Sequence, residues 1–153
     1  MAVRVQREEF DAAAEVRTLV DGRTDIGGAV TFTGFVRGEA KGKQLLTLTL
    51  EHYPGMTEAE LQRIENEARA RFDLSASLIV HRFGELKPGD PIVLVATASA
   101  HRSAAFQAAE FLMDYLKSRA PFWKKESFAV GSESWVDEHA SDYDALGRWG
   151  GPG

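Results

Sequence analysis

Two apolar segments, SASLIVHRFG over 75–84 and PIVLVATAS over 91–99, are joined only by a short link built on LKPGD. Both are rich in β-branched and aliphatic residues, and Pro-Gly-Asp is turn chemistry. The link is hairpin-like, so the pair reads as neighbouring strands rather than as halves of a parallel unit, which needs a crossover of about a dozen residues or more. The second segment carries no charge and is expected to be the more deeply buried. The rest of the chain has to pack around this pair.

AVTFTGFVR alternates Val30, Phe32, Gly34 and Val36 against Thr31, Thr33, Phe35 and Arg37, which predicts a strand ending in Arg37. QLLTLTLEHY sets Leu46, Leu48 and Leu50 against Thr47, Thr49 and Glu51, a second strand, with the polar GEAKGK between them as a mobile hairpin loop. A first helix is expected over 7–20, with Phe10, Ala13, Ala14, Val16, Leu19 and Val20 at helical spacing. Thr57 and Glu60 form a T-x-x-E capping box for a second, whose buried stripe is Leu61, Ile64, Ala68 and Phe72. The third places Ala105, Ala109, Leu112 and Leu116 on one face, with Phe106 and Met113 beside it, and stops before Pro121. ESFAVGSESWV reads as a last strand or hairpin, and residues 147–153, GRWGGPG, as a flexible tail. At 153 residues the chain holds one domain. Its class is α+β, with mostly antiparallel strands and about three main helices.

The net charge of −5 disfavours a general nucleic-acid binder, so any basic site is local. No apolar run reaches the roughly 18 residues of a membrane span, and MAVRVQREEF is not a signal peptide, which together lead to a cytoplasmic expectation. The chain has no cysteine, which excludes disulfides, thiolate metal sites and a cysteine nucleophile.

Charge brackets the third helix. His101 and Arg102 stand where a strand hands over to a helix N-terminus, whose free N–H groups favour an anion, and an arginine fork there adds specificity for phosphate or carboxylate. The plainer alternative is that Ser103 caps the helix while the Arg102 stem covers apolar surface. Lys117 lies in the last turn, where complementing the helix dipole is by itself sufficient reason for a lysine. Lys124 and Lys125 follow Phe122 and Trp123, rings that can wall a flat ligand or anchor a solvated turn. Arg37 alone reads as a solvated strand end, and His52 and His81, lacking metal-ligand spacing, as structural. These residues give a possible small-anion pocket and no reaction.

The blocks TFTGFVR, LTLEHYPGMTE, HRFGELKPGD, SAHRSAAFQAAEFLMDYLKSRAPFWKKE and the final GRW, in that order from Ala29 to Trp149, resemble the large, catalytic subunit of molybdopterin synthase. The resemblance implies an α/β-hammerhead type of fold and a homodimer. It also implies a small ubiquitin-like sulfur-carrier subunit, ending in Gly-Gly, bound at each end to make a heterotetramer. The implied reaction converts cyclic pyranopterin monophosphate to molybdopterin, with two sulfurs delivered from the carrier's thiocarboxylate. No cofactor is implied, because the sulfur arrives on the partner. Carried over by position, the substrate-binding residues are Phe35, Val36, Arg37, His101, Arg102, Lys117, Lys124, Lys125 and Glu126. Lys117 is expected to act at the reacting carbon, Lys124 as proton donor or charge stabiliser, and Lys125 has no specific role. Met113, Phe122 and Trp123 are candidate walls for the carrier tail. His139 stands where relatives can carry an arginine, which would make the hold on an anion pH-dependent. The competing reading is a non-catalytic module of the same fold that binds a small anion or nucleotide. An RNA-stacking platform on Phe122 and Trp123 is disfavoured by the acidic balance.

Overall fold

The computed structural model describes residues 2–129, 133–135 and 146–150. His139 lies outside the described residues. Two sheets and three helices form the expected α+β domain. In chain order the elements are β1 (Ala2–Gln6), α1 (Ala12–Val20), β2 (Gly28–Phe35), β3 (Glu39–Ala40), β4 (Lys43–His52), α2 (Met56–Arg71), β5 (Ala76–Arg82), β6 (Gly84–Leu86), β7 (Pro91–Ser99), α3 (Arg102–Arg119), β8 (Phe122–Phe128) and β9 (Glu133–Trp135).

The first sheet runs β1-β5-β7-β2 and is built on the expected pair, with Ile79 opposite Val95 in antiparallel register. Both faces of this pair are covered, which explains its unbroken apolar character. Leu78, Val80, Leu94 and Ala96 face Phe10, Val16 and Leu19 around α1, while Ile79, Val93 and Val95 face α2 and α3 through Leu61, Ile64, Phe111 and Leu112. Burying an aliphatic side chain of this kind contributes about 1.5–3 kcal/mol. The second sheet runs β3-β4-β8-β9, with β6 also paired to β4, and it encloses Val36, Leu45, Leu48, Leu50, Leu86 and Phe128.

Several local expectations are corrected. β1 was not foreseen; it pairs with β5 in parallel, Val3 beside Ile79. The first helix starts later than expected because Asp11 caps it, its Oδ1 accepting from the Ala14 N–H at 3.1 Å. The second helix is capped two residues earlier than in the T-x-x-E reading. Gly55, at φ 85°, occupies the N-cap and its N–H donates to Glu58 Oε1 at 3.0 Å. Thr57 lies inside the helix, fully buried, with its hydroxyl on the Tyr53 carbonyl. In β4 a register shift between Leu45 and Thr47 turns Leu45 into the core and leaves Leu46 half exposed, reversing the predicted alternation at that point.

Three further differences shape the site. β2 ends at Phe35 after an irregularity at Gly34, and Val36 is held instead by the Asp90 carbonyl and by Gly89, so Arg37 leaves the sheet into the β3–β4 hairpin. That hairpin turns on Lys41 and Gly42, both with positive φ, the pattern of a tight two-residue turn. Phe122 to Phe128 is one strand rather than a turn, paired along its length with β4. Finally, the tail is not loose at residue 149. The Trp149 ring packs edge-on against Phe72 and Phe111, its Nε1 donates to Asp114 Oδ2 at 2.6 Å, and Arg71 bonds its carbonyl.

Candidate functional site

α3 is fixed at its start by β7. Thr97 Oγ1 donates to the Ala105 carbonyl at 2.7 Å, and Ser99 Oγ accepts the His101 N–H at 3.2 Å. The helix then runs 18 residues across the first sheet and delivers Met113, Leu116 and Lys117 to the seam between the two sheets. Pro121 ends the helix, and the chain turns back as β8 along β4. Strand alternation sends Phe122, Lys124 and Glu126 to the seam and Trp123 and Lys125 away from it. From the other side come Phe35, Val36 and Arg37.

These residues line a cavity of about 600 Å³, the size of a small-molecule site. Three cations, Arg37, Lys117 and Lys124, face it together with two carboxylates, Glu39 and Glu126, among apolar walls that include Phe32, Met113 and Phe122. Glu126 is almost wholly buried. Its Oε1 has no hydrogen-bond partner among the described residues, and Lys41 Nζ stands 3.9 Å from it at the hairpin tip. An enclosed acceptor of this kind is expensive to leave unpaired and is suited to a ligand donor.

Of the residues expected at the site, Phe35, Val36, Arg37, Lys117, Lys124 and Glu126 meet in this one cavity. Lys125 does not; it pairs with Glu133 at 3.0 Å on the opposite face of β8. Trp123 is also outside the cavity, exposed and edge-on to Tyr53 at 4.6 Å. His101 and Arg102 are exposed at the other end of α3, and 15 residues of helix separate Arg102 from Lys117, roughly 22 Å along the axis. They do not reach this chain's own cavity. His101 is the N-cap residue but makes no side-chain cap bond, and Ser103 instead accepts from Gln107, so the plain capping alternative also fails.

The sequence reading missed His81. It stands at the end of β5 on the cavity wall, stacked on Phe122 with ring centroids 3.8 Å apart and planes 17° apart. Burial, and then the nearby charges of Lys124, Lys117 and His52, push its pKa from 6.5 down to about 4. A lone histidine at a strand end carries no pattern in the sequence that marks it as cavity-facing; the packing of its ring against β8 does that.

A two-sheet α+β domain with a half-apolar cavity, two lysines and an arginine facing inward, has the chemistry to suit a small anionic organic molecule. The comparisons specify it further: the MoaE protein family model matches residues 5–119, and the chain belongs to that family, the catalytic subunits of molybdopterin synthase. It is 57% identical to the molybdopterin synthase catalytic subunit of Rhizobium meliloti, over 97% of this chain and 96% of the relative. It is 55% identical to that of Mesorhizobium japonicum, over 96% and 92%. The solved structure of the molybdopterin biosynthesis MoaE protein from Burkholderia ambifaria superposes with a TM-score of 0.84 at 47% identity, covering 99% of this chain and all of that one. The molybdopterin synthase of Staphylococcus aureus gives 0.81 at 31% identity, covering 88% and 96%. No helix among the described residues is long and apolar enough to cross a membrane.

Proposed function

We propose that the cavity binds cyclic pyranopterin monophosphate and that the chain converts it to molybdopterin as a sulfurtransferase. The observation that carries this reading is the convergence of Lys117, from the end of α3, with Lys124, from β8, in one cavity beside Arg37. The two lysines are only seven positions apart, yet a helix end and a reversed strand are needed to bring both inside.

In this reading the sulfur comes from a partner, as a thiocarboxylate on the C-terminal Gly-Gly of a small ubiquitin-like carrier, which accords with a chain that has no cysteine. No resident cofactor is required for this chemistry. Glycines suit the approach, because a tail without side chains can thread close to surrounding side chains such as the cavity-lining Met113 and Phe122. Arg37 holds the anionic end of the substrate and stabilises charge when the cyclic phosphate opens. Lys117 works at the reacting carbon, and Lys124 donates a proton or offsets the developing negative charge, an arrangement of preformed charges of the kind worth several kcal/mol.

His101 and Arg102 belong to this reading only through a second copy. In this reading an isologous dimer brings the α3 N-terminus of one subunit to the cavity of the other, and each site then takes its lysines from one chain and its extra anion contacts from the partner. The test is reconstitution: this protein, thiocarboxylated carrier and the cyclic precursor should yield the dithiolene product. Tight precursor binding without product would favour the non-catalytic module instead.

A further inference from the structure

The groups facing the cavity differ in what they can offer a ligand. Arg37, Lys117 and Lys124 only donate hydrogen bonds, while Glu39 and Glu126 accept but carry charge that the cations attract. His81 is different. Its Nδ1 lies 2.8 Å from the Arg82 carbonyl, and because a carbonyl can only accept, that nitrogen holds the proton. In the uncharged ring Nε2 is therefore a bare lone pair, and among the described residues no group donates to it. The ring is held in this orientation by the bond to the Arg82 carbonyl and lies flat on Phe122, which also stands 5.9 Å from His52. Nor does the ring readily gain a second proton: burial disfavours the charged form first, and the ammonium groups of Lys124 on β8 and Lys117 on α3, with His52 on β4, add to the effect.

A histidine that served packing alone would need neither a fixed tautomer nor a place on the cavity wall. Here both are present, and the neutral ring shares the cavity wall with the two lysines without cancelling their charge. We propose that His81 is a ligand-contacting, specificity-determining residue: its Nε2 accepts a hydrogen bond from an O–H or N–H of the bound pterin at the end of the cavity where Lys117 and Lys124 meet. The inference rests on reading the cavity as a pterin site and adds the group that recognises a donor on the substrate. Because the acceptor is preoriented, a ligand carrying that donor loses little freedom in meeting it, and a ligand lacking it leaves the acceptor unpaired.

Binding of cyclic pyranopterin monophosphate by wild-type, His81→Phe and His81→Gln proteins tests this. His81→Phe keeps a ring on Phe122 and removes the acceptor; it should weaken binding about tenfold or more, the usual effect of leaving a bound donor without its partner. His81→Gln restores an acceptor oxygen and should recover a substantial part of that loss, which a purely packing role would not allow. Nitrogen NMR of the wild-type imidazole gives a reading that no folding defect can disturb. Nε2 should be unprotonated at neutral pH, and its resonance should move in the hydrogen-bonded direction when precursor is added. Equal binding by His81→Phe, or an Nε2 resonance unmoved by saturating precursor, overturns the role of His81 while leaving the pterin site standing. Failure of the wild-type protein to bind precursor overturns both.

Discussion

Lys124 and Lys125 are adjacent in sequence and stand on opposite faces of β8, the first on the cavity wall and the second in an ion pair with Glu133 at 3.0 Å. A turn at this point would have left both in solvent; a strand separates them. Lys124→Ala should therefore lower turnover about 100-fold or more, as expected for a group that transfers a proton or stabilises charge in the transition state. Lys125→Ala removes an exposed surface pair and should change turnover by less than about twofold. Steady-state rates of the two variants check this, and equal losses would contradict the placement.

His81 makes stability depend on pH. Its folded pKa of about 4 lies below the ordinary 6.5, so the unfolded chain takes up a proton first as the solution is acidified. The stabilisation from keeping the ring neutral is fully present above about pH 6.5 and is lost progressively between there and pH 4, by about 3 kcal/mol at most. Urea unfolding at pH 7 and pH 4.5 should show a smaller acid loss for His81→Phe than for the wild type. Parallel losses in the two proteins would mean that other groups set the acid sensitivity.

Trp149 ties the C-terminal segment to the core through Phe72, Phe111 and the bond to Asp114. Trp149→Ala removes a half-buried ring and leaves the Asp114 carboxylate with Arg148 alone, at 2.9 Å. A loss of about 2 kcal/mol is expected, visible as a drop of several degrees in the thermal midpoint. An unchanged midpoint would show that the anchor carries no weight.

If His101 and Arg102 act in the partner's cavity, two inactive variants can complement each other. Arg102→Ala and Lys117→Ala homodimers should each be nearly inactive. Mixed and re-equilibrated, they form heterodimers in which one site carries both defects and the other none, so activity should rise to about a quarter of the wild-type value by random pairing. No recovery, with subunit exchange verified, would contradict a site shared between the two subunits.

The helical period of α3 and the β5–β7 hairpin were readable because each is a local pattern, several residues long, with a clear stop at Pro121 or a turn at Pro88 and Gly89. β1 was not, because AVRVQ is five residues carrying an arginine, and only its pairing with β5 makes it a strand. Leu46 was misassigned because a bulge is set by the partner strand, here the offset of Leu45 and Thr47 against Phe128 and Ser127. At the site, residue types alone suggested an anion pocket. Which cations share it depended on the reversal of the chain after Pro121, which joins Lys124 to Lys117, and on the length of α3, which removes His101 and Arg102 from both.

Reconstituted conversion of cyclic pyranopterin monophosphate by the Lys117→Ala protein, with thiocarboxylated carrier in excess, bears most directly on the central claim. Lys117 is exposed at the end of α3, so the substitution should leave the fold and the midpoint of unfolding nearly unchanged. Wild-type protein should form the dithiolene product and the variant should form none above background. Product formation at the wild-type rate by Lys117→Ala would contradict the assignment of this cavity as the place where sulfur is delivered.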